Sequence, residues 1–302
     1  MCMNFLITGG TGFVGKKLVE RLTSLHHNSY ILTRTPEKFT NTEHTTYITF
    51  EDAKKLPPIY GVINLAGESL FGYWTKKKKE KIKSSRIEIT QKIIHLMKNM
   101  DVKPEVFISG SAVGYYGVSN EIMFTEETEK PGDDFLANVV VAWENTAKQA
   151  EGMAIRTIFA RFGVILGRDG GALPLMSLPT KLFVGGKVGK GEQWTSWIHI
   201  DDVVDMLIFT IQNEHISGAL NVTAPTPSRN KEFNQILARS LRRPYWFPTP
   251  GLLVRTVTGE MSQLVLKGQY VLPNKAIENR FQFTYPTLEL ALNQLFADVK
   301  KN

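Results

Sequence analysis

Short apolar runs alternate with longer amphipathic ones over the first two thirds of the chain. Asn4–Thr8 is a nearly continuous apolar run of strand length, and from Gly12 to about Leu25 the apolar residues Val14, Leu18 and Leu22 recur at helical spacing. Ser29–Thr33 predicts a second strand, Thr46–Phe50 a third, Gly61–Leu65 a fourth and Glu105–Ser109 a fifth. A helix over roughly Lys78–Met100, with Ile82, Ile89, Ile93 and Leu96 on one stripe, separates the last two. Phe135–Ala150 reads as a further helix and Ile155–Ala160 as a sixth strand. Strands alternating with helices of this length pair in parallel through helical crossovers, which predicts a doubly wound α/β sheet.

The texture changes after about residue 165. Gly-Arg-Asp-Gly-Gly-Ala-Leu-Pro and Val-Gly-Gly-Lys-Val-Gly-Lys-Gly are glycine-rich loops, Ile200–Gln212 restores a helix, and Gly218–Val222 restores a strand. From Thr226 the pattern is mixed, punctuated by Pro244, Pro248, Pro250 and Pro273. The expected organisation is a doubly wound sheet domain over 1–165, completed by about 195–225. A smaller second domain is expected from about 166–194 and 226–302.

Composition narrows the class. A chain of 302 residues with 42% hydrophobic and 22% charged positions is ordinary for a globular protein and wrong for a disordered one. The single cysteine, Cys2, excludes an internal disulfide framework and a cysteine-cluster metal site. The six histidines are scattered, so no metal is expected. No apolar stretch approaches the ~18 residues of a membrane span, and the first residues lack the basic flank of a signal peptide. Cytoplasmic placement without a membrane partner is the expectation. The net charge of +7 would attract an anionic partner: nucleic acid, anionic lipid, or a phosphorylated cofactor and substrate. Much of it lies in Lys76–Lys83, whose simplest reading is a solvated helix face. No reader module or interleaved aromatics accompany that run, which makes nucleic acid an unlikely partner.

The chemistry begins at Thr8-Gly9-Gly10-Thr11-Gly12-Phe13-Val14-Gly15, between the first strand and the first helix. Gly10, Gly12 and Gly15 satisfy Gly-x-Gly-x-x-Gly. Glycines at such a turn let the backbone approach a pyrophosphate, which rests on the helix N–H groups and the positive end of its dipole. An NAD-preferring fold usually carries an acid about 20 residues further on, to bind the ribose 2′-hydroxyl. Here the second strand ends Leu32-Thr33-Arg34-Thr35-Pro36, with no acid before Glu37. A carboxylate would repel a 2′-phosphate and a guanidinium fork matches it, so NADP(H) is expected, with Thr33 and Arg34 at its adenosine phosphate.

With Asn64-Leu-Ala-Gly67 and Ser109-Gly-Ser-Ala-Val-Gly-Tyr-Tyr-Gly117, the chain resembles an extended short-chain dehydrogenase/reductase of the NAD(P)-dependent epimerase/dehydratase type. Trp143-Glu144, Arg161-Phe-Gly-Val-Ile-Leu-Gly167, Gly191–Asp202 and Leu241-Arg-Arg-Pro244 are similar to its atypical YfcH-like branch, which has its own small C-terminal domain. The resemblance implies a Rossmann-type sheet with Gly9–Gly15 on the pyrophosphate. It also implies Leu65, Ala66 and Gly67 beneath the cofactor, a contact from Arg86, Ser109 near the site, and Gly163–Ile165 beside the nicotinamide. Ser111 matches the family's catalytic Ser/Thr. The family's Tyr-x-x-x-Lys pair, aligned on Glu144, falls on Leu136 and Val140, neither of which transfers a proton.

The candidate substitutes are Tyr115 and Tyr116, Glu68, and His199 with Asp201. For the tyrosines the stronger reading is as packing residues with satisfied hydroxyls. The histidine and aspartate read as braces of the following helix, with Asp201 or Asp202 as its N-cap. Two functions are open on these grounds. One is an NADP(H)-dependent oxidoreductase or epimerase acting on a small polar substrate. The other is a cofactor-binding sensor or docking module without turnover. An oligomer is compatible with either.

Overall fold

The computed structural model describes residues 2–297. In chain order its strands and helices are β1 (Asn4–Thr8), α1 (Phe13–Ser24), β2 (Asn28–Leu32), β3 (Thr45–Ile48), β4 (Gly61–Asn64), α2 (Lys76–Lys98), β5 (Val106–Ala112), β6 (Met123–Phe124), α3 (Phe135–Ala147) and β7 (Arg156–Phe162). They continue with β8 (Val164–Leu166), α4 (Leu173–Lys181), β9 (Trp194–Thr195), β10 (Trp197–His199), α5 (Ile200–Gln212), β11 (Gly218–Val222), β12 (Ser228–Arg229) and α6 (Asn230–Ser240). The last are α7 (Gly251–Thr258), α8 (Gln263–Leu266), β13 (Tyr270–Val271), α9 (Asn274–Glu278) and α10 (Leu288–Leu295).

Seven parallel strands form one sheet in the order β3-β2-β1-β4-β5-β7-β11. The strand order reverses between β1 and β4, where such sheets open a crevice at their carboxyl ends. Side chains alternate between two faces. Phe5, Ile7, Ile63, Ile108 and Ile158 meet α1 and α5, while Leu6, Val62, Phe107 and Phe159 meet α2 and the end of α3. Both faces are covered, so the strands read as apolar runs rather than alternating ones. Each fully buried aliphatic or phenyl side chain contributes about 1.5–3 kcal/mol of transfer free energy.

Local signals set the helix starts. Thr75 Oγ1 accepts from the Lys78 amide at 3.2 Å, and an Asp134 carboxylate oxygen accepts from the Ala137 amide at 2.9 Å, so α2 and α3 begin where their caps stand. α5 departs from expectation: its cap is His199, whose Nδ1 accepts from the Asp201 amide at 3.1 Å, while Asp201 and Asp202 sit in the first turn. An imidazole nitrogen can fill the role usually taken by a short oxygen side chain.

Three two-stranded pairs, β8 with β10, β9 with β12 and β6 with β13, link the sheet to the C-terminal segments. A separate core of Leu173, Trp197, Phe233, Leu237, Leu288 and Leu292 joins α4, α6 and α10. Ala276 of α9 and Phe281 instead pack into the α1/α5 face of the large sheet. No described helix is long and apolar enough to cross a membrane.

Candidate cofactor and substrate site

The β1–α1 turn is built around missing side chains. Gly9 has φ of 71°, and a Cβ there would lie 2.8 Å from the Leu65 carbonyl carbon. A Cβ on Gly15 would lie 2.1 Å from the Gly9 oxygen. The Gly12 amide donates to the Gly9 carbonyl at 2.9 Å and tightens the loop. α1 has no side-chain cap and no acid in its first turn, so its positive end faces the strand ends without an internal anion. These residues fit a pyrophosphate: the cradle admits backbone but no methyl group, and donors line it.

The floor is equally fixed. Thr8 Oγ1 donates to Asn64 Oδ1 at 2.6 Å, and Asn64 Nδ2 donates to Thr90 Oγ1 at 2.9 Å. Trp143 Nε1 donates to the same Thr90 oxygen at 3.1 Å. This buried chain ties β1, β4, α2 and α3 beneath Leu65, Ala66 and Gly67. Ser109, at the carboxyl half of β5, is buried beside it. Arg86 is held by the Ile82 and Glu68 carbonyls at 2.8 and 3.1 Å, with Trp143 5.3 Å below its guanidinium carbon. Burial lowers its pKa, and the Glu68 carboxylate only partly opposes this. Glu68 itself binds Lys78 at 2.8 Å and Lys81 at 3.4 Å, and the Lys78 hydrogen bond holds its pKa below the ordinary value. Arg86 therefore offers half-buried positive charge next to Gly67.

Thr33 and Arg34 follow β2. The Thr33 amide donates to the Ile48 carbonyl at 2.9 Å and its Oγ1 accepts from the Thr35 amide at 3.4 Å. Arg34 is exposed, and among the described residues no carboxylate pairs with it. On the opposite rim the Phe13 ring is wedged under the loop after β8. A Cβ on Gly167 or Gly170 would come within 2.3 Å of that ring, and one on Gly171 within 2.5 Å of the Ile165 carbonyl oxygen. Phe13 thus fixes the loop after β8 against the start of α1, while Val14 and Ile165 pack on the α1/α5 core.

The expected catalytic residues gather in a buried polar network rather than in an open pocket. Ser111 Oγ donates to Glu144 Oε1 at 2.5 Å. Arg161 grips both Glu144 oxygens through Nε and Nη2, each at 2.8 Å, and its Nη1 donates to the Tyr116 oxygen at 3.0 Å. Tyr116 in turn donates to Asn221 Oδ1 at 2.7 Å. Burial opposes the Arg161 charge, yet the hydrogen bonds and charge of Glu144 lift its pKa above the usual guanidinium value. Burial also raises the Tyr116 pKa, against the pull of Arg161. The Tyr115 ring stacks 3.5 Å from the Arg161 guanidinium carbon, and its hydroxyl donates to the Glu129 carbonyl at 2.6 Å.

Both candidate tyrosines are therefore engaged away from the crevice. Tyr116 is a buried link in the network, and Tyr115 faces a shallow cavity of about 440 Å³ between α3 and the 126–131 loop. Both hydroxyl protons are thus directed at acceptors within the chain, the Glu129 carbonyl and Asn221 Oδ1. Leu136 and Val140 share one face of α3 against Gly114, the nearest approach being 3.6 Å from a Cβ built on that glycine, so this face of the helix is apolar. His199 lies elsewhere: with Nδ1 accepting, its proton is on Nε2, directed at Gln294 Oε1 3.0 Å away, and burial lowers its pKa. It braces α5 against α10.

Arg161, Asn221 and Glu126 belong to this region and were not among the candidate site residues, although Arg161 opens one of the family-like motifs. The signal for Arg161 is a charge set between Ala160 and Phe162 in an apolar strand, which needs a buried partner. Asn221 occupies the same register on β11, directly opposite Arg161.

A doubly wound sheet with a glycine turn at β1, a buried polar floor at β4 and a serine near the end of β5 is that of an extended short-chain dehydrogenase/reductase. The chain belongs to the NAD dependent epimerase/dehydratase family, whose model matches residues 5–223, and a domain of unknown function, DUF1731, matches residues 249–295. It is 46% identical to the epimerase family protein YfhF of Bacillus subtilis over 99% of both chains. It is 42% identical to the Staphylococcus saprophyticus epimerase family protein SSP1921, covering 97% of this chain and 99% of the other. Among solved structures, human epimerase family protein SDR39U1 with NADPH superposes with a TM-score of 0.90 at 31% identity, over 98% of this chain and 100% of that one. A nucleoside-diphosphate sugar epimerase from Corynebacterium glutamicum gives a TM-score of 0.76 at 29% identity, over 100% of this chain and 62% of the other.

Proposed function

We propose that this protein binds NADP(H) across the α1 N-terminus and acts as an oxidoreductase or epimerase on a small polar substrate. The substrate would sit between the carboxyl ends of the strands and the C-terminal region. The uncapped, acid-free start of α1 over its glycine cradle carries the reading. Gly9–Gly15 would hold the pyrophosphate, Leu65–Gly67 with Arg86 the floor, and Thr33 with Arg34 the 2′-phosphate. The NADPH in the human structure supports the choice of dinucleotide. When bound, the cofactor supplies hydride transfer; the chain supplies position and electrostatics.

Ser111 orients rather than donates in this reading. Its proton is directed to Glu144, which leaves the Oγ lone pairs to accept from a substrate hydroxyl. Leu136 and Val140 cannot relay the proton, and the tyrosine hydroxyls are engaged elsewhere, so solvent carries it. Calorimetric titration tests the cofactor: NADPH binds more tightly than NADH, and the reverse order would sink the assignment. Turnover is tested with nucleoside-diphosphate sugars and simple carbonyl compounds, by the absorbance of the reduced nicotinamide for net redox chemistry and by chromatography of the sugars for epimerised product.

The apolar face of α3 and the internally satisfied Ser111–Glu144–Arg161 network also favour a second reading, a binding protein that reports cofactor occupancy without turnover. Tight NADPH binding with neither net nicotinamide oxidation nor an epimerised product from any substrate in that panel would select it.

A further inference from the structure

At the end of α4, before α7 and along α7 itself, large apolar side chains stand in solvent. Leu178, Leu182 and Phe183 at the end of α4, Trp246, and Leu252 and Val257 on α7 are all exposed, Trp246 by 71% and Leu252 by 74%. α7 has no buried residue at all. The segments are contiguous. Trp246 Nε1 donates to the Phe183 carbonyl at 2.7 Å, Val188 bridges to Thr249 at the start of α7, and the hydroxyl of exposed Tyr73 donates to the Val257 carbonyl at 2.6 Å. An exposed apolar surface of this kind marks an interaction site.

Its charge says what the partner is. The contributing segments 68–80, 169–192 and 241–260 hold ten Lys and Arg against five Asp and Glu, and Lys76, Lys77, Lys181, Arg243 and Arg255 are all exposed. We infer that this face docks on the surface of an anionic lipid bilayer, with the aliphatic residues and Trp246 entering the headgroup region and the cations meeting lipid phosphates. A second copy of this chain fits less well, because a two-fold interface would set this cationic surplus against itself. Nucleic acid would leave the aliphatic centre uncovered. A run-length criterion for membrane spans cannot detect such a face, because it is assembled from three separate segments. The inference does not depend on whether the bound cofactor turns over.

Sedimentation of the full-length protein with vesicles tests it. The protein is expected to pellet with phosphatidylcholine–phosphatidylglycerol vesicles at low salt, to stay in solution with pure phosphatidylcholine, and to detach as salt is raised. Its fluorescence should shift to the blue on binding, and Trp246→Phe should abolish that shift. Leu252→Asp with Leu253→Asp, and separately Lys181→Glu with Arg255→Glu, should each weaken vesicle binding by at least about tenfold. Calorimetry confirms that the variants are folded through unchanged NADPH affinity or, should the cofactor reading fail, through an unchanged melting temperature. Absence of binding to the mixed vesicles overturns the proposal, as does binding that both variants retain. A dimer in light scattering that Leu252→Asp dissociates, without vesicle binding, would assign the face to a second copy instead.

Discussion

Two side chains carry the sharpest expectations at the residue scale. Arg34 is exposed and, among the described residues, unpaired with any carboxylate, so replacing it should cost cofactor affinity and little stability. A charge-assisted hydrogen bond is worth about 1.5–3 kcal/mol, so Arg34→Ala should weaken NADPH binding roughly 10- to 100-fold while leaving NADH binding nearly unchanged. Parallel titrations measure this, and an equal loss for both dinucleotides would move the 2′-phosphate elsewhere. Glu126 concerns stability. Its Oε1 accepts from the Asn221 amide at 3.0 Å, while its Oε2 is buried with no hydrogen-bond partner among the described residues. Burial raises its pKa, against the pull of that amide and of Lys275. A carboxyl whose folded pKa is raised stabilises most below its ordinary value of 4.5 and loses that contribution as pH climbs through the raised one. Glu126→Gln keeps the acceptor and removes the charge. It should raise the melting temperature near pH 8 and leave it unchanged near pH 4, and the opposite trend would mean the carboxylate is paired.

At the scale of elements, the β1–α1 unit shows why a local pattern can be read directly. The glycine spacing, the preceding apolar strand and the following amphipathic helix lie within one short stretch, and the structure closes them into one cradle. Gly15→Ala should push its new methyl into the Gly9 carbonyl and reduce NADPH affinity by at least about tenfold. Overpacking of this kind costs about 1–3 kcal/mol, so a calorimetric melt should fall only modestly alongside the titration. Other relations were hidden because they join distant positions. Glu144 and Arg161 are on a helix and a strand, and nothing in either segment alone announces a bidentate pair that occupies the Ser111 hydroxyl. The phenols of Tyr115 and Tyr116 follow the same loop as Ser111, yet the short helical turn there directs both away from the crevice. The His199 cap was equally concealed, since caps are sought among Ser, Thr, Asn and Asp.

For the whole molecule, the doubly wound sheet was legible because strand and helix periods differ so plainly. The arrangement of the C-terminal segments was not, because contacts rather than periodicity decide it. Phe281 lies beyond the last sheet strand in the chain but sits in the same core as Leu18, Met206 and Ile158. Phe281→Ala should therefore destabilise the sheet itself, by about 3–5 kcal/mol. Calorimetry should show one transition at lower temperature; a separate early transition would mean the C-terminal region melts alone.

The position of β11 has a consequence during synthesis. β7 is flanked by β5 on one side and by β11 on the other, and β11 arrives only after α4, the glycine-rich loops and α5 have been made. A ribosome elongates by roughly 5–20 residues per second, so for several seconds the nascent chain presents β7 as a raw edge with open amides and carbonyls. During that interval its natural mate is any other extended strand nearby, and a chaperone that shields such edges would decide the yield of folded protein.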